Sequence, residues 1–272
     1  MTALPHHRFC QEVVNQTGLL RGVVAGADLS VTVPTTPDWT LGQLLRHVGG
    51  NLRSVETAVR TGTAVTEPER QVPDHGGPAG DDPAALDAWL VEAAAGFAET
   101  LAKAGPDAQA QVWQVRWPAA AWARRAANDL VVHRADAAGA VGADYTVAAD
   151  LAVDAVDEFL DLLSNPQVAA AAPDPAAAAA PDPAGGGPAP GSTVHLHATD
   201  ADPGLEAEWL VELGAPVFSW RHGHAKADVA VRAPLADLLR VVTRRLPPDA
   251  GGVEVLGDRE VLDAWLERLR LQ

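Results

Sequence analysis

After Asn165 the chain runs PQVAAAAPDPAAAAAPDPAGGGPAPG, a tract of Ala, Pro and Gly with almost no side chain large enough to pack. The repeated prolines remove backbone donors and crowd the preceding turn, which keeps the alanine runs from joining into one helix. A semi-extended tether is expected there. The hydrophobic period is helical before this tract and two-residue after it. The 272 residues therefore divide into a helical domain at 1–165, a linker at 166–191 and an α+β domain at 192–272.

In the first domain Phe9, Val13, Gln16, Leu20 and Val23 or Val24 recur at steps of three and four and end near Gly26. Beyond the extended VTVPTTPDW, Thr40 is placed to cap a second helix whose Leu41, Leu44, Leu45, Val48, Leu52, Val55 and Val59 form one stripe. A Gly/Pro-rich loop at 63–81 leads to Asp82 and Pro83, an N-cap and first helical residue, and Leu86, Leu90, Ala93, Phe97 and Leu101 continue that third helix. WPAAAWARRAANDLVVHRADAAGA is a fourth helix, and Val147 to Leu163 a fifth. Successive helices with no convincing strand between them make a bundle of four, up to five, helices. In the second domain Val194, Leu196 and Ala198 alternate with His195 and His197, and Val229 and Val231 with Asp228, Ala230 and Arg232. EAEWLVEL and GGVEVLG read as further strands, and PLADLLRVVTRRL and DREVLDAWLERLRL as helices.

The formal charge of -16 and pI near 4.8 oppose attraction to phosphate polymers and anionic lipid, so neither nucleic acid nor membrane is an expected partner. Cys10 is the only cysteine, which excludes an intrachain disulfide and a cysteine-rich zinc site and suits a reducing interior. With no basic-then-apolar leader and no apolar run of the roughly 18 residues that span a bilayer, a cytoplasmic protein, as a monomer, is expected.

Chemistry concentrates on the fourth helix. A 100° wheel aligns Trp122, Arg125, Ala126, Asp129, His133, Asp136 and Ala140, flanked by apolar Leu130, Val132 and Ala137, as an inward-facing polar stripe on a bundle helix would be. Asp129 and His133 stand one turn apart on one face and can converge on a divalent cation, or can form an ordinary surface contact. A third ligand is needed, and His47 on the second helix is the candidate. It lies off the centre of that helix's apolar stripe, pointing either into a cleft or into water.

VPTTPDWTLGQLLRHVGG and RRAANDLVVHRADAAGA resemble the two signatures of the mycothiol-dependent maleylpyruvate isomerase family within the DinB-like superfamily. GHAKADVAVRAPLADLLRVVTRR and VEVLGDREVLDAWL resemble that family's sterol-carrier-protein-like second domain. The resemblance implies a DinB-like bundle in which His47, Asp129 and His133 hold a divalent metal, zinc by family habit. Where the family commonly has His-Glu, this chain has Asn128-Asp129, so the carboxylate is one methylene shorter. The implied chemistry is thiol activation: a cation beside the sulfur lowers the thiol pKa, and the thiolate attacks an electrophilic or unsaturated metabolite. Cys10 lies outside both signatures, so the thiol is a small molecule, by resemblance mycothiol. Isomerisation returns that thiol, whereas S-transfer keeps it attached. The altered carboxylate favours transferase chemistry over the isomerisation itself. Eighteen arginines against two lysines, with abundant Ala, Gly and Pro, suit a high-GC and hence actinobacterial source. Competing readings are a metal-free ligand-binding or regulatory bundle, and a metal enzyme that uses water without thiol.

Asp136, three residues after His133, is placed to orient that imidazole or to pair with Arg125 or Arg134. Trp39 reads as a staple at the entry of the second helix. Arg221 and Arg232 are candidate anchors for an acidic substrate or the cofactor, with solvated arginines as the alternative. His195/His197 and His222/His224 have chelating spacing but no recognisable third ligand, and read as surface histidines. His6, His7 and His75 have no visible partner.

Overall fold

The computed structural model describes residues 4–80, 82–165, 191–214 and 217–269, which belong to two compact units meeting between Tyr145 and Thr146. In order, the first contains α1 (His6–Val24), β1 (Thr32–Val33), β2 (Thr36–Thr40), α2 (Leu41–Thr61), α3 (Pro68–Gln71) and α4 (Pro83–Ala104). β3 (Gln109–Val112), β4 (Val115–Pro118) and α5 (Ala119–Val141) complete it. α1 packs on α4 and α5, and α2 packs chiefly on α4 and also on α5, around Val13, Leu20, Leu44, Phe97, Leu101, Leu130 and Val131, all essentially inaccessible to solvent. The caps are those the sequence announces. Thr40 accepts from the Gln43 amide in a reciprocal capping box, and the Asp82 side chain accepts from the Ala84 amide ahead of α4.

Two features of this unit differ from the reading of its sequence. Between the helices lie two antiparallel ribbons, β1–β2 and β3–β4, with strands of two to five residues, too short for a two-residue period to register. Trp122 ties the second ribbon to α5, its indole donating to the Ala110 carbonyl at 3.1 Å and packing 4.9 Å from Trp117. The expected fifth bundle helix, α6 (Ala149–Ser164), belongs to the second unit instead. Helical spacing reveals that a helix has an apolar face, not which core receives it.

The second unit continues from α6 with β5 (Thr193–Ala198), a 3-10 turn at Pro203–Leu205, β6 (Glu208–Glu212), β7 (Ser219–His222) and β8 (Val229–Ala233). It ends with α7 (Leu235–Val242), β9 (Glu254–Gly257) and α8 (Arg259–Arg268). The five strands lie in the order β7-β6-β5-β8-β9, with β5 and β8 parallel and the other pairs antiparallel. Val194, Leu196, Trp209, Val211, Val229 and Val231 bury one face of this sheet. On that face α6 is fastened by Asp157, which accepts from the Trp209 indole at 2.6 Å and stands 3.2 Å from His222 Nε2. The tract expected to be a linker lies outside the described residues except for Gly191. Among the described residues no helix is long and apolar enough to cross a membrane.

The close approach of α4 to α2 depends on Gly49, where a Cβ would fall 2.1 Å from the Trp89 ring. That ring cannot easily swing away: it is buried, its indole donates to the Asp74 carbonyl at 3.0 Å, and Arg53 lies 5.3 Å from its centroid. Gly18 on α1 faces open space. Gly49→Ala is expected to lower stability by about 1–3 kcal/mol through overpacking, despite its better helix propensity. Gly18→Ala is expected to raise stability by about 0.5–1 kcal/mol. Denaturant titration of the two variants checks the opposite signs.

Candidate metal centre

α5 carries Asp129 and His133 on successive turns of one face, and α2 brings His47 to meet them. A nitrogen of each imidazole and an oxygen of Asp129 all lie within 4.8 Å of one another. His133 Nδ1 is 2.9 Å from Asp136 Oδ2, which leaves Nε2 facing Asp129 Oδ2 at 3.6 Å. Asp136 is fully buried and also accepts from the Thr35 hydroxyl at 2.6 Å, so the loop between the strands of the first ribbon reaches the helix behind the imidazole. Arg125 donates to Asp129 Oδ1 at 2.7 Å, and Arg134 donates to Gln16 at 3.0 Å and lies over the Tyr145 ring.

Trp39 lies beside both imidazoles. Its ring centroid is 4.7 Å from that of His47 and 6.4 Å from that of His133, and the two imidazoles meet edge to face at 5.0 Å. Three residues after His47, Gly50 leaves room for His75, whose carbonyl would stand 2.8 Å from a Cβ there. That histidine has no partner visible in the sequence, because only the folding of the segment around it brings it over α2.

The donor set suits a divalent cation. With Zn–N near 2.0–2.1 Å and Zn–O near 2.0–2.2 Å, two donors on one tetrahedral ion stand about 3.3–3.6 Å apart, and the His133–Asp129 pair already has this spacing. The shorter aspartate side chain therefore reaches its neighbour's nitrogen without a change in the helix. Protonation favours the same outcome. Burial holds the His47 imidazole down to about 4, helped by His133, His75 and Arg125 and opposed by Asp129, so the ring is neutral at neutral pH. Asn51 Nδ2 lies 3.0 Å from His47 Nε2. Burial pushes the Asp129 carboxyl upward, yet His133, Arg125 and His47 outweigh it and hold the group below its ordinary range. A cleft of about 580 Å³ between α1, α2 and α4 lies elsewhere and is lined by none of the three donors.

Arg221 and Arg232 are residues of the second unit. Arg232 pairs across strands with Glu254 at 3.0 Å, and Arg221 is exposed, its guanidinium 3.4 Å from the His222 carbonyl.

The depressed His47 pKa sets a pH dependence for the metal-free protein. Between about 6.5 and about 4 the unfolded chain takes up a proton on His47 that the folded chain refuses, so stability falls as pH falls through this window. His47→Gln is expected to flatten that part of the slope. Urea midpoints across the window check it, and an unchanged slope in the variant contradicts the assignment.

Comparison with known proteins follows the same division of the chain. Residues 10–138 match the mycothiol maleylpyruvate isomerase N-terminal domain, and residues 150–264 match the C-terminal domain of the same family. No curated protein matches the chain. Among solved structures, a mycothiol-dependent maleylpyruvate isomerase is 16% identical, with 94% of this chain and 95% of that one covered and a TM-score of 0.56. A His-to-Ala variant of that enzyme aligns over the same shares at 15% identity with a TM-score of 0.56. At these identities the solved structures speak for the fold, a mostly helical unit with short ribbons followed by an α+β sheet unit. With both of its units matched by the family's two domains, the chain belongs to the mycothiol-dependent maleylpyruvate isomerase family.

Proposed function

We propose that the protein is a metal-dependent enzyme that uses mycothiol, isomerising an unsaturated acid such as maleylpyruvate or transferring the thiol to an electrophilic metabolite. The observation that carries this reading is the convergence of His47, Asp129 and His133 in a chain of this family. A bound divalent ion, zinc by its donor set, would supply a positive charge that lowers the pKa of a neighbouring thiol.

The chain's own side chains prepare such a centre. His47 offers a neutral nitrogen, His133 turns its Nε2 toward Asp129, and Asp129 offers the oxygen opposite the one Arg125 holds. Asp136 accepts from His133 Nδ1 and keeps Nε2 turned inward, while Thr35 keeps Asp136 in place. Trp39 shields the imidazoles on one side and narrows their range of orientation. No protein thiol competes: Cys10 is buried in α1, and burial pushes its pKa up, so the reactive sulfur belongs to the small molecule. For isomerisation, that sulfur adds to one end of a conjugated double bond, the resulting single bond rotates, and elimination re-forms the double bond and releases the thiolate. For transfer, the sulfur remains on the electrophile. Arg221, exposed on β7, is the candidate anchor for a substrate or cofactor carboxylate, and Arg232 is a second one when released from Glu254.

The test is to incubate metal-loaded protein with maleylpyruvate or a panel of electrophiles, with and without mycothiol, following products and adducts by mass spectrometry. Turnover that needs both metal and mycothiol and disappears in His133→Ala is expected. Turnover without mycothiol would point to water as nucleophile, and neither product nor adduct across the panel would point to a binding module. Asp136→Asn is expected to weaken metal affinity by about 10–100-fold while the chain stays folded, as loss of an orienting partner does elsewhere. Calorimetric metal titration and circular dichroism measure the two halves of that statement.

A further inference from the structure

The face of the five-stranded sheet opposite α6 carries a second convergence of ligating side chains. His195 and His197 project together from β5, and the antiparallel register sets Glu208 on β6 directly across from His197. His224, just beyond β7, folds back over them. Glu208 Oε2 lies 2.9 Å from His195 Nε2, 2.9 Å from His197 Nδ1 and 2.7 Å from His224 Nδ1. One nitrogen from each ring and this oxygen all fall within 4.8 Å of one another.

We propose that His195, His197, Glu208 and His224 form a second divalent-metal site, of the zinc type, that closes on four protein ligands and fastens the β7–β8 connection to the sheet. Hydrogen bonding alone accounts poorly for the cluster. A carboxylate oxygen has two lone-pair directions, and here three imidazole nitrogens crowd onto one oxygen. A cation at the centre relieves this by widening each contact by about 0.4–0.9 Å, since donors on a shared zinc ion stand about 3.3–3.6 Å apart. Three imidazoles and one carboxylate are a borderline-soft set that suits zinc, cobalt or nickel over magnesium or calcium.

Protonation is also suitable. Burial opposes ionisation of Glu208, yet hydrogen bonds from His197 and His224 hold its carboxyl down to about 2. Burial lowers the pKa of His195. Access is graded, with the His195 side chain 6% exposed, His197 25% and His224 74%, so an ion enters from the His224 side. His222 takes no part: it faces Asp157 and the Glu206 carbonyl. Four protein ligands leave no open position on a tetrahedral ion, which makes the site structural rather than catalytic.

The test uses the full chain, stripped with chelator and titrated with Co²⁺ as a spectroscopic probe for zinc, alongside elemental analysis after zinc loading. In His133→Ala, which disables the helical centre, about one metal ion per chain is expected to remain, with the visible band of tetrahedral cobalt. Adding Glu208→Gln or His224→Ala to that background is expected to abolish it. His224 is mostly exposed, so its removal leaves the fold intact, and circular dichroism verifies this. A His133→Ala chain that binds no metal, or binding untouched by both added substitutions, overturns the proposal. If unsubstituted protein binds a single ion that His224→Ala removes and His133→Ala spares, this site stands and the helical centre falls, so the two readings fail separately.

Discussion

Asp136 accepts hydrogen bonds from the Thr35 hydroxyl and from His133 Nδ1, and this short relay ties the first ribbon to α5 behind the imidazole. A carboxylate as fully enclosed as Asp136 is costly unless its oxygens are satisfied, and both meet a partner here. The consequence is geometric. The first ribbon must cross α5 at the height of Asp136, which delivers Trp39 onto the imidazoles and starts α2 where His47 can reach the same space. Glycines at 49 and 50 then let Trp89 and His75 close against α2. Ligand placement and bundle packing are thus parts of one solution.

Asp129 is held by neighbours on both sides along α5. Arg125, one turn earlier, holds Asp129 Oδ1 at 2.7 Å and leaves the second oxygen facing His133. A carboxylate already paired with a guanidinium is a weaker donor than a free one, yet it is better oriented. The guanidinium contact fixes the direction in which the second oxygen points.

The two clusters exploit different periodicities. On α5 a four-residue step places Asp129 and His133 together, and a remote helix completes the set. On β5 a two-residue step pairs His195 with His197, the register of a neighbouring strand supplies Glu208, and the segment after β7 supplies His224. Either pair taken alone has an ordinary structural explanation. A third group on the helices, and a third and fourth on the sheet, make each arrangement chemically specific.

How much of this was legible beforehand follows from the range of each interaction. The long helices, their Thr40 and Asp82 caps, the strands at 193–198 and 229–233 and the polar face of α5 are local properties, encoded in spacing and turn chemistry. The pairing of His47 with Asp129 and His133 came from likeness to a family, since spacing left His47 free to face a cleft or water. Strand β7, the ribbons, the membership of α6, the position of His75 and the joining of Glu208 and His224 to the β5 histidines were not visible. Each depends on which surfaces meet, and sequence periodicity records that a face is apolar or ligating without recording its partner. Local chemistry determined the elements and the candidate donors; tertiary packing alone decided which donors share a point in space, because contacts between distant segments are set by the complementarity of whole surfaces.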